Sequence, residues 1–351
     1  MDTINHIFGI INEGIGRALA GFLPDWVVAA IMALLAIAAV ILFMTVVVMS
    51  QTLAERRVLA RMQDRWGPNR VGKWGSLQPV ADVLKLLLKE DIRPATADPI
   101  MHFLAPAITL MPALLAYAVI PFGQGMAIAD VNIGLLFLIA VATLPTIGIV
   151  VAGWSSGNKY SVLGGMRAAA QMISFEVPLV LALISPILIV GSLSMTDIVE
   201  AQGGWFGLRW LVLAQPVAFV VYLIAGIAEA NRTPFDLPEA ESELGAGFWT
   251  EYSGMKFALF YLAEYLNAFA VAAIATTVFL GGWQGPILPP WLWFFLKAYL
   301  LFVGMIWLRA TLPRMRVDHL MSFCWKGLVP IALANLIVTG IGISVYHAIV
   351  G

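Results

Sequence analysis

The feature that most constrains this chain is a set of apolar runs without charge. From Val27 to Ala54 there is no Asp, Glu, Lys or Arg. Other uncharged stretches of about 20 residues recur along the chain, the length at which an α-helix crosses a bilayer. In lipid each backbone N–H and C=O must find a partner inside the protein, so only helices and closed barrels can span. Barrels are built from short strands of alternating polarity, whereas these runs are continuous. Composition agrees: the chain is 61% hydrophobic and 12% charged, against roughly a quarter charged in soluble domains, with a mean hydropathy of +0.89. The expected fold is all-α and polytopic, a single transmembrane domain over 1–351.

Eight spans are expected, at about 26–53, 100–120, 131–153, 161–190, 209–230, 254–281, 290–312 and 328–349. An amphipathic segment precedes them over 1–24, without the basic n-region and small-residue cleavage site of a secretory signal. Between Leu77 and Glu90 the apolar residues Leu77, Val80, Val83, Leu84, Leu87 and Leu88 keep helical spacing. That segment is too short to span, so it is expected as an interfacial amphipathic helix. Of the 20 Lys and Arg, 17 fall in 55–98, 154–167, 231–256 and 309–326. The positive-inside rule puts that side in the cytoplasm or its equivalent. The inner-face loops are then 54–99, 154–160, 231–253 and 313–327.

One cysteine, Cys324, excludes a disulfide framework or a Cys-ligated iron–sulfur cluster within this chain. The four histidines are far apart, and no metal-binding spacing occurs. Gly14, Gly16 and Gly21 lack the strand and the acidic residue of a dinucleotide turn. Redox chemistry, if there is any, uses carriers held by other chains.

Against this apolar background, residues 229–251 carry six of the 21 acids: Glu229, Asp236, Glu239, Glu241, Glu243 and Glu251. Only Arg232 opposes them, and Phe235, Leu237, Leu244, Phe248 and Trp249 are interleaved. A solvated loop has little use for that mixture. If Asp236, Glu239 and Glu243 lie on a helix they share one face, and their mutual repulsion favours a proton held on one of them. Two further acids, Glu176 and Glu264, fall inside spans. A carboxyl there locks packing as a protonated or Arg-paired group, or it marks an ion path. Tyr261 and Asn267 flank Glu264 one turn away on each side, a polar stripe able to carry a proton through water. Arg167 is nine residues before Glu176 on its span. The basic loop 55–73 reads either as a headgroup contact or as a docking surface for a soluble partner. Five of its six bases after Glu55 are Arg, which suits interface ion pairs.

Three long motifs carry a resemblance. They are Thr233–Gly254 (TPFDLPEAESELGAGFWTEYSG), the pair Gly67–Gly72 (GPNRVG) and Gly75–Lys85 (GSLQPVADVLK), and Arg309–Met321 (RATLPRMRVDHLM). In this order, and with the eight-span layout, the chain resembles the family of H subunits of NADH–quinone oxidoreductase, respiratory complex I. The resemblance implies a membrane anchor for a peripheral arm, a share of a quinone chamber, and a link through buried carboxylates to antiporter-like membrane subunits that translocate protons. It implies that Arg56, Asp82 and Lys85 lie near the quinone entrance. Arg232, Phe235, Asp236, Glu239, Glu241 and Glu243 would belong to the chamber loop, and Glu176, Glu229 and Glu264 to the buried relay, with Arg167 nearby. Phe175 stands where some relatives have Tyr, which removes a hydroxyl beside Glu176. Quinone is the implied substrate; NADH, FMN and iron–sulfur clusters belong to partner subunits, and no metal or nucleic acid is expected here. The implied place is a bacterial inner membrane, or the mitochondrial one. Two other readings remain open at this point: the membrane anchor of an energy-converting hydrogenase, separable by assaying quinone reduction against hydrogen production, and a stand-alone ion transporter, which would be active without iron–sulfur partners.

Overall fold

The computed structural model describes residues 24–204, 209–238 and 245–350. These fall into two compact units, one ending at Ser50 and one beginning at Gln51. The amphipathic reading of 1–24 lies outside the described residues, as do Glu239, Glu241 and Glu243.

Every regular element among the described residues is helical. Helix α1 (Asp25–Met62) begins in the first unit and ends in the second. The second unit continues with α2 (Gln78–Leu88), α3 (Pro99–Leu115), α4 (Gly134–Ala142), α5 (Pro145–Ser155), α6 (Lys159–Val190) and α7 (Met195–Glu200). It goes on with α8 (Leu211–Ala214), α9 (Pro216–Glu229), α10 (Gly254–Phe279), α11 (Pro290–Thr311), α12 (Val317–Phe323) and α13 (Val329–Val350). Seven of the helical stretches described are long and apolar enough to cross a membrane. The chain is therefore an all-α polytopic membrane protein, with α2 as the short helix expected over 77–90.

Two spans differ in detail from the expectation. The span at 209–230 is broken at Gln215, whose φ/ψ of −130°/55° is not helical. Pro216 then starts α9, which has 14 residues, about 21 Å of rise against a hydrocarbon core of about 30 Å. Proline lacks the N–H that would continue α8 and is well placed in a first helical turn. The expected loop 313–327 is mostly helical instead. Helix resumes at Val317 and passes through a π-helical turn, Cys324–Leu328, into α13. The charges in that segment suggest a span that ends at 328, but a helix extending beyond the apolar layer carries charge at little cost.

Helix α6 is central in the second unit and packs against α5, α9 and α13, while α10 packs against α3, α9 and α11. From Ala268 to Phe279 every α10 residue is buried. A helix apolar all round belongs in the interior, and its alanines allow neighbouring backbones to approach closely. Helix starts are capped by side chains the sequence supplies: Asp98 accepts from the Ile100 and Met101 amides at 2.9 and 3.0 Å, and Asn158 accepts from the Tyr160 amide at 3.0 Å.

The segment before α10 is fastened to this frame. Ser161 Oγ donates to the Phe248 carbonyl at 2.9 Å. Tyr252 stacks on His102 with ring centroids 4.0 Å apart, and its hydroxyl lies 3.1 Å from Ser155 Oγ. Burial pushes this phenol up to about 12, against the pull of Ser155 and Ser156, so it stays a neutral hydrogen-bonding group. Gly247 turns the chain at φ 59°, and a Cβ there would lie 1.7 Å from the Pro238 carbonyl oxygen. Gly247→Ala is therefore expected to displace the loop and to abolish recovery of assembled complex from membranes, whereas Ala246→Gly leaves assembly intact. Blue-native electrophoresis of solubilised membranes is the check.

Candidate functional site

The acidic segment leaves α9 immediately after Glu229. Asn231 adopts φ 51°, and the Arg232 amide returns to the Ile227 carbonyl at 3.1 Å. Gln171, buried on α6, then clamps the turn: its Nε2 donates to the carbonyls of Ala228 and Phe235, each at 2.6 Å. The Thr233–Pro234 peptide is cis, and the Met315 amide donates to the Pro234 carbonyl at 3.1 Å. Phe235 packs between Phe175 and Phe323, at centroid distances of 5.8 and 6.4 Å. Asp236 lies in irregular backbone, so it is not the start of the helix considered for 236–243.

This path drives Arg232 inward, between the end of α1 and helix α10. Its Nη1 donates to Glu55 Oε2 at 3.2 Å, and its Nε lies 3.1 Å from Glu264 Oε1. The side chains of Arg232, Glu55 and Glu264 are only 7%, 6% and 14% exposed. The guanidinium carbon also sits 4.1 Å from the centre of the Tyr265 ring. Tyr265 Oη donates to Glu55 Oε2 at 2.7 Å and lies 2.9 Å from Tyr261 Oη. Arg309 Nη1 donates to the other Glu55 oxygen. Two guanidinium groups and two carboxyl groups thus meet in one cluster, buried except at Arg309, whose side chain is 33% exposed. Burial alone works to lower the pKa of Arg232, but Glu264 and Glu55 outweigh it and hold the group above its ordinary value. It is therefore a fixed positive charge. Nearby, Arg314 Nη2 donates to Asp236 Oδ2 at 3.2 Å.

Glu264 has a second role. With Glu229, Asn231, Asn267 and Thr109 it lines a cavity of about 30 Å³, bordered also by Phe248 and Trp249. Its Oε2 is buried without a hydrogen-bond partner among the described residues. A second cavity of about 40 Å³ is more apolar and is bordered by Tyr222, Glu229 and Asn267. Glu229, Ala230, Asn267 and Met172 border both. Glu176, half-buried on α6, is near enough to Glu229 for their charges to interact. The structure therefore brings Glu264, Glu229 and Glu176 into succession, with the Arg232 cluster beside Glu264.

Not every residue singled out in the sequence joins this group. Arg56 and Asp82 pair with each other at 2.5 Å, partly exposed, linking α1 to α2. Lys85 is exposed on α2 and borders none of these cavities. Conversely, Glu55, Gln171, Tyr265 and Arg309 join the group without being candidates on sequence grounds. Glu55 is the acid that closes the uncharged run of α1 and precedes two arginines; that position is its one signal, and membership of a basic loop hides it. Gln171 and Tyr265 offer no charge to notice, and their roles depend on contacts 57 and 210 residues away.

A multi-pass membrane protein with an ion-paired arginine and a succession of carboxyls in its interior defines the class. The sequence matches the model of the family described as NADH dehydrogenase over residues 35–340. The chain is 55% identical over 291 residues to the NADH-quinone oxidoreductase H subunit of Dehalococcoides mccartyi strain CBDB1, covering 83% of this chain and 81% of that protein. Identity is 51% over 296 residues to an H subunit of the same enzyme from Geobacter sulfurreducens, covering 82% and 89%. It is 55% over 294 residues to the H subunit from Anoxybacillus flavithermus, covering 82% and 87%. The chain belongs to the family of NADH-quinone oxidoreductase H subunits.

Proposed function

We propose that this chain, as a membrane subunit of a complex that oxidises NADH and reduces quinone, forms part of the quinone chamber. It couples quinone reduction to proton translocation through Glu264, Glu229 and Glu176. The observation that carries the reading is Glu229, which borders both cavities while Glu264 stands on one of them and Glu176 within electrostatic reach. Carboxyls inside a membrane protein mark ion paths more often than packing. Polar cavities of this size also accommodate bridging water.

In this reading the loop 231–253 and Arg56, Asp82 and Lys85 face the peripheral arm on the inner side, in a bacterial inner membrane. Reduction of quinone to quinol consumes protons, and the acids of the loop, Asp236, Glu239, Glu241 and Glu243, sense or supply that demand. Arg232 is the fixed charge against which Glu264 changes its protonation. A charge change there is felt at Glu229 and then at Glu176, toward antiporter-like partner subunits. Electron carriers lie in partner subunits, since a cluster needs several thiolates and this chain has one cysteine.

The test uses Glu176→Gln and Glu239→Gln in the assembled complex. Each is expected to impair quinone-linked proton translocation while leaving electron transfer from NADH to an artificial acceptor intact. Unchanged coupled turnover in both variants would sink the reading.

A further inference from the structure

We propose that a cleft at the inner end of α1 binds the phosphate headgroup of an anionic phospholipid. The cleft, about 240 Å³, is bordered by Arg57, Arg61, Trp66 and Trp74 together with Gly67, Pro68 and Asn69. It is separate from the cavities of the carboxyl succession and shares no residue with them.

The cleft has a fixed frame. Arg57 and Arg61 are one turn apart on α1 and share a face. Arg57 Nη2 donates to the Trp74 carbonyl, which ties the loop to the helix. Gly75 closes that loop at φ 74°, where a Cβ would lie 2.1 Å from the Pro68 carbonyl oxygen. Arg61 lies over the Trp66 ring, 4.2 Å from its centre. A guanidinium presents five N–H donors in a planar fork matched to phosphate oxygens, so both arginines keep donors for a ligand. Among the described residues neither forms an ion pair with a carboxylate. Glu55, the acid nearest Arg57 in sequence, is taken up by Arg232 and Arg309, and Asp64, the acid nearest Arg61, forms no ion pair among the described residues. The loop therefore presents uncompensated positive charge.

Depth decides between a lipid and an acidic protein segment. Arg57 and Arg61 follow the last uncharged residue, Ala54, by about 4.5 and 10.5 Å of helix rise. A headgroup layer is roughly 5–8 Å thick on each side of the hydrocarbon; the Arg57 backbone falls within it, while that of Arg61 lies beyond it and only the long side chain reaches back. Trp66 and Trp74 are 69% and 72% exposed, and indoles prefer that layer. The chain then enters α2, which packs against α10 yet leaves Val80, Leu84, Leu87 and Leu88 exposed. A helix that exposes leucines belongs on lipid. Positive forks beside indoles at that level fit a lipid phosphate.

The experiment uses the intact purified complex in vesicles of phosphatidylcholine containing a phosphatidylglycerol with a photoreactive headgroup. After illumination, labelled peptides of this chain are mapped by mass spectrometry. Labelling is expected within 57–74, and the double variant Arg57→Gln/Arg61→Gln is expected to lose it by about tenfold or more, the scale of losing one charge-assisted hydrogen bond. The double variant Arg70→Gln/Lys73→Gln removes the same charge from the same loop outside the cleft and is expected to label as the unmodified chain does. Equal loss in both double variants shows generic surface charge and overturns the proposal. So does equal labelling by a photoreactive phosphatidylcholine. Peripheral-arm subunits released from the Arg57/Arg61 variant with labelling unchanged would assign the cleft to an acidic protein partner, and that outcome overturns it too.

Discussion

Arg232→Met is expected to cost this protein about 3–5 kcal/mol, the range for breaking a buried ion pair by removing one member. The substitution keeps most of the side chain's length but leaves Glu55 and Glu264 in the interior with Arg309 as their remaining cation. Glu55 keeps Arg309 and the Tyr265 hydroxyl. Glu264 loses its ion pair outright, since the cation it meets is Arg232 Nε. The measurement is the thermal midpoint and the yield of purified complex. Glu264→Gln, combined with Arg232→Met, is expected to recover part of the loss, because it removes the stranded charge while keeping the shape. A double variant no better than the single one would show that Arg232 acts by packing on Tyr265 and not by neutralising Glu264.

Glu229→Gln is expected to fail in the opposite way, with assembly intact and coupling lost. Glutamine is nearly isosteric, so the walls of both cavities keep their packing, but it cannot release a proton. Quinone-linked proton translocation in proteoliposomes is expected to fall by about tenfold or more, the low end of what losing a proton-transfer group costs. Electron transfer to an artificial acceptor is expected to be unchanged. Glu229→Asp, which retains the titratable group one methylene shorter, is expected to keep part of the coupled rate. Unchanged quinone-linked proton translocation in the Gln variant would remove Glu229 from the path.

How much of this is legible in the sequence follows from the physics of each part. Lipid forbids unsatisfied backbone, so the helices announce themselves as uncharged runs, and α6, α10 and α11 lie within a few residues of where hydropathy puts them. The break at Gln215 is harder, because Pro216 inside an apolar stretch reads as a tolerated kink until the neighbours are seen. Charged groups in apolar surroundings are costly, which is why Glu176, Glu229 and Glu264 stand out. Their partners do not. Glu55 and Arg232 are 177 residues apart, and nothing local in either stretch says that they meet. Gln171 is invisible for a related reason: a neutral amide costs little to place in a span, and its value lies in two carbonyls of a turn that the chain has yet to make.

The end of α9 has an electrical consequence. Glu229 is the last residue of that helix, where the aligned peptide dipoles gather partial negative charge and a cation is favoured. The turn that follows brings Arg232 back to that end, its amide donating to the Ile227 carbonyl at 3.1 Å. One residue thus serves the helix terminus through its backbone and two carboxyl groups through its side chain.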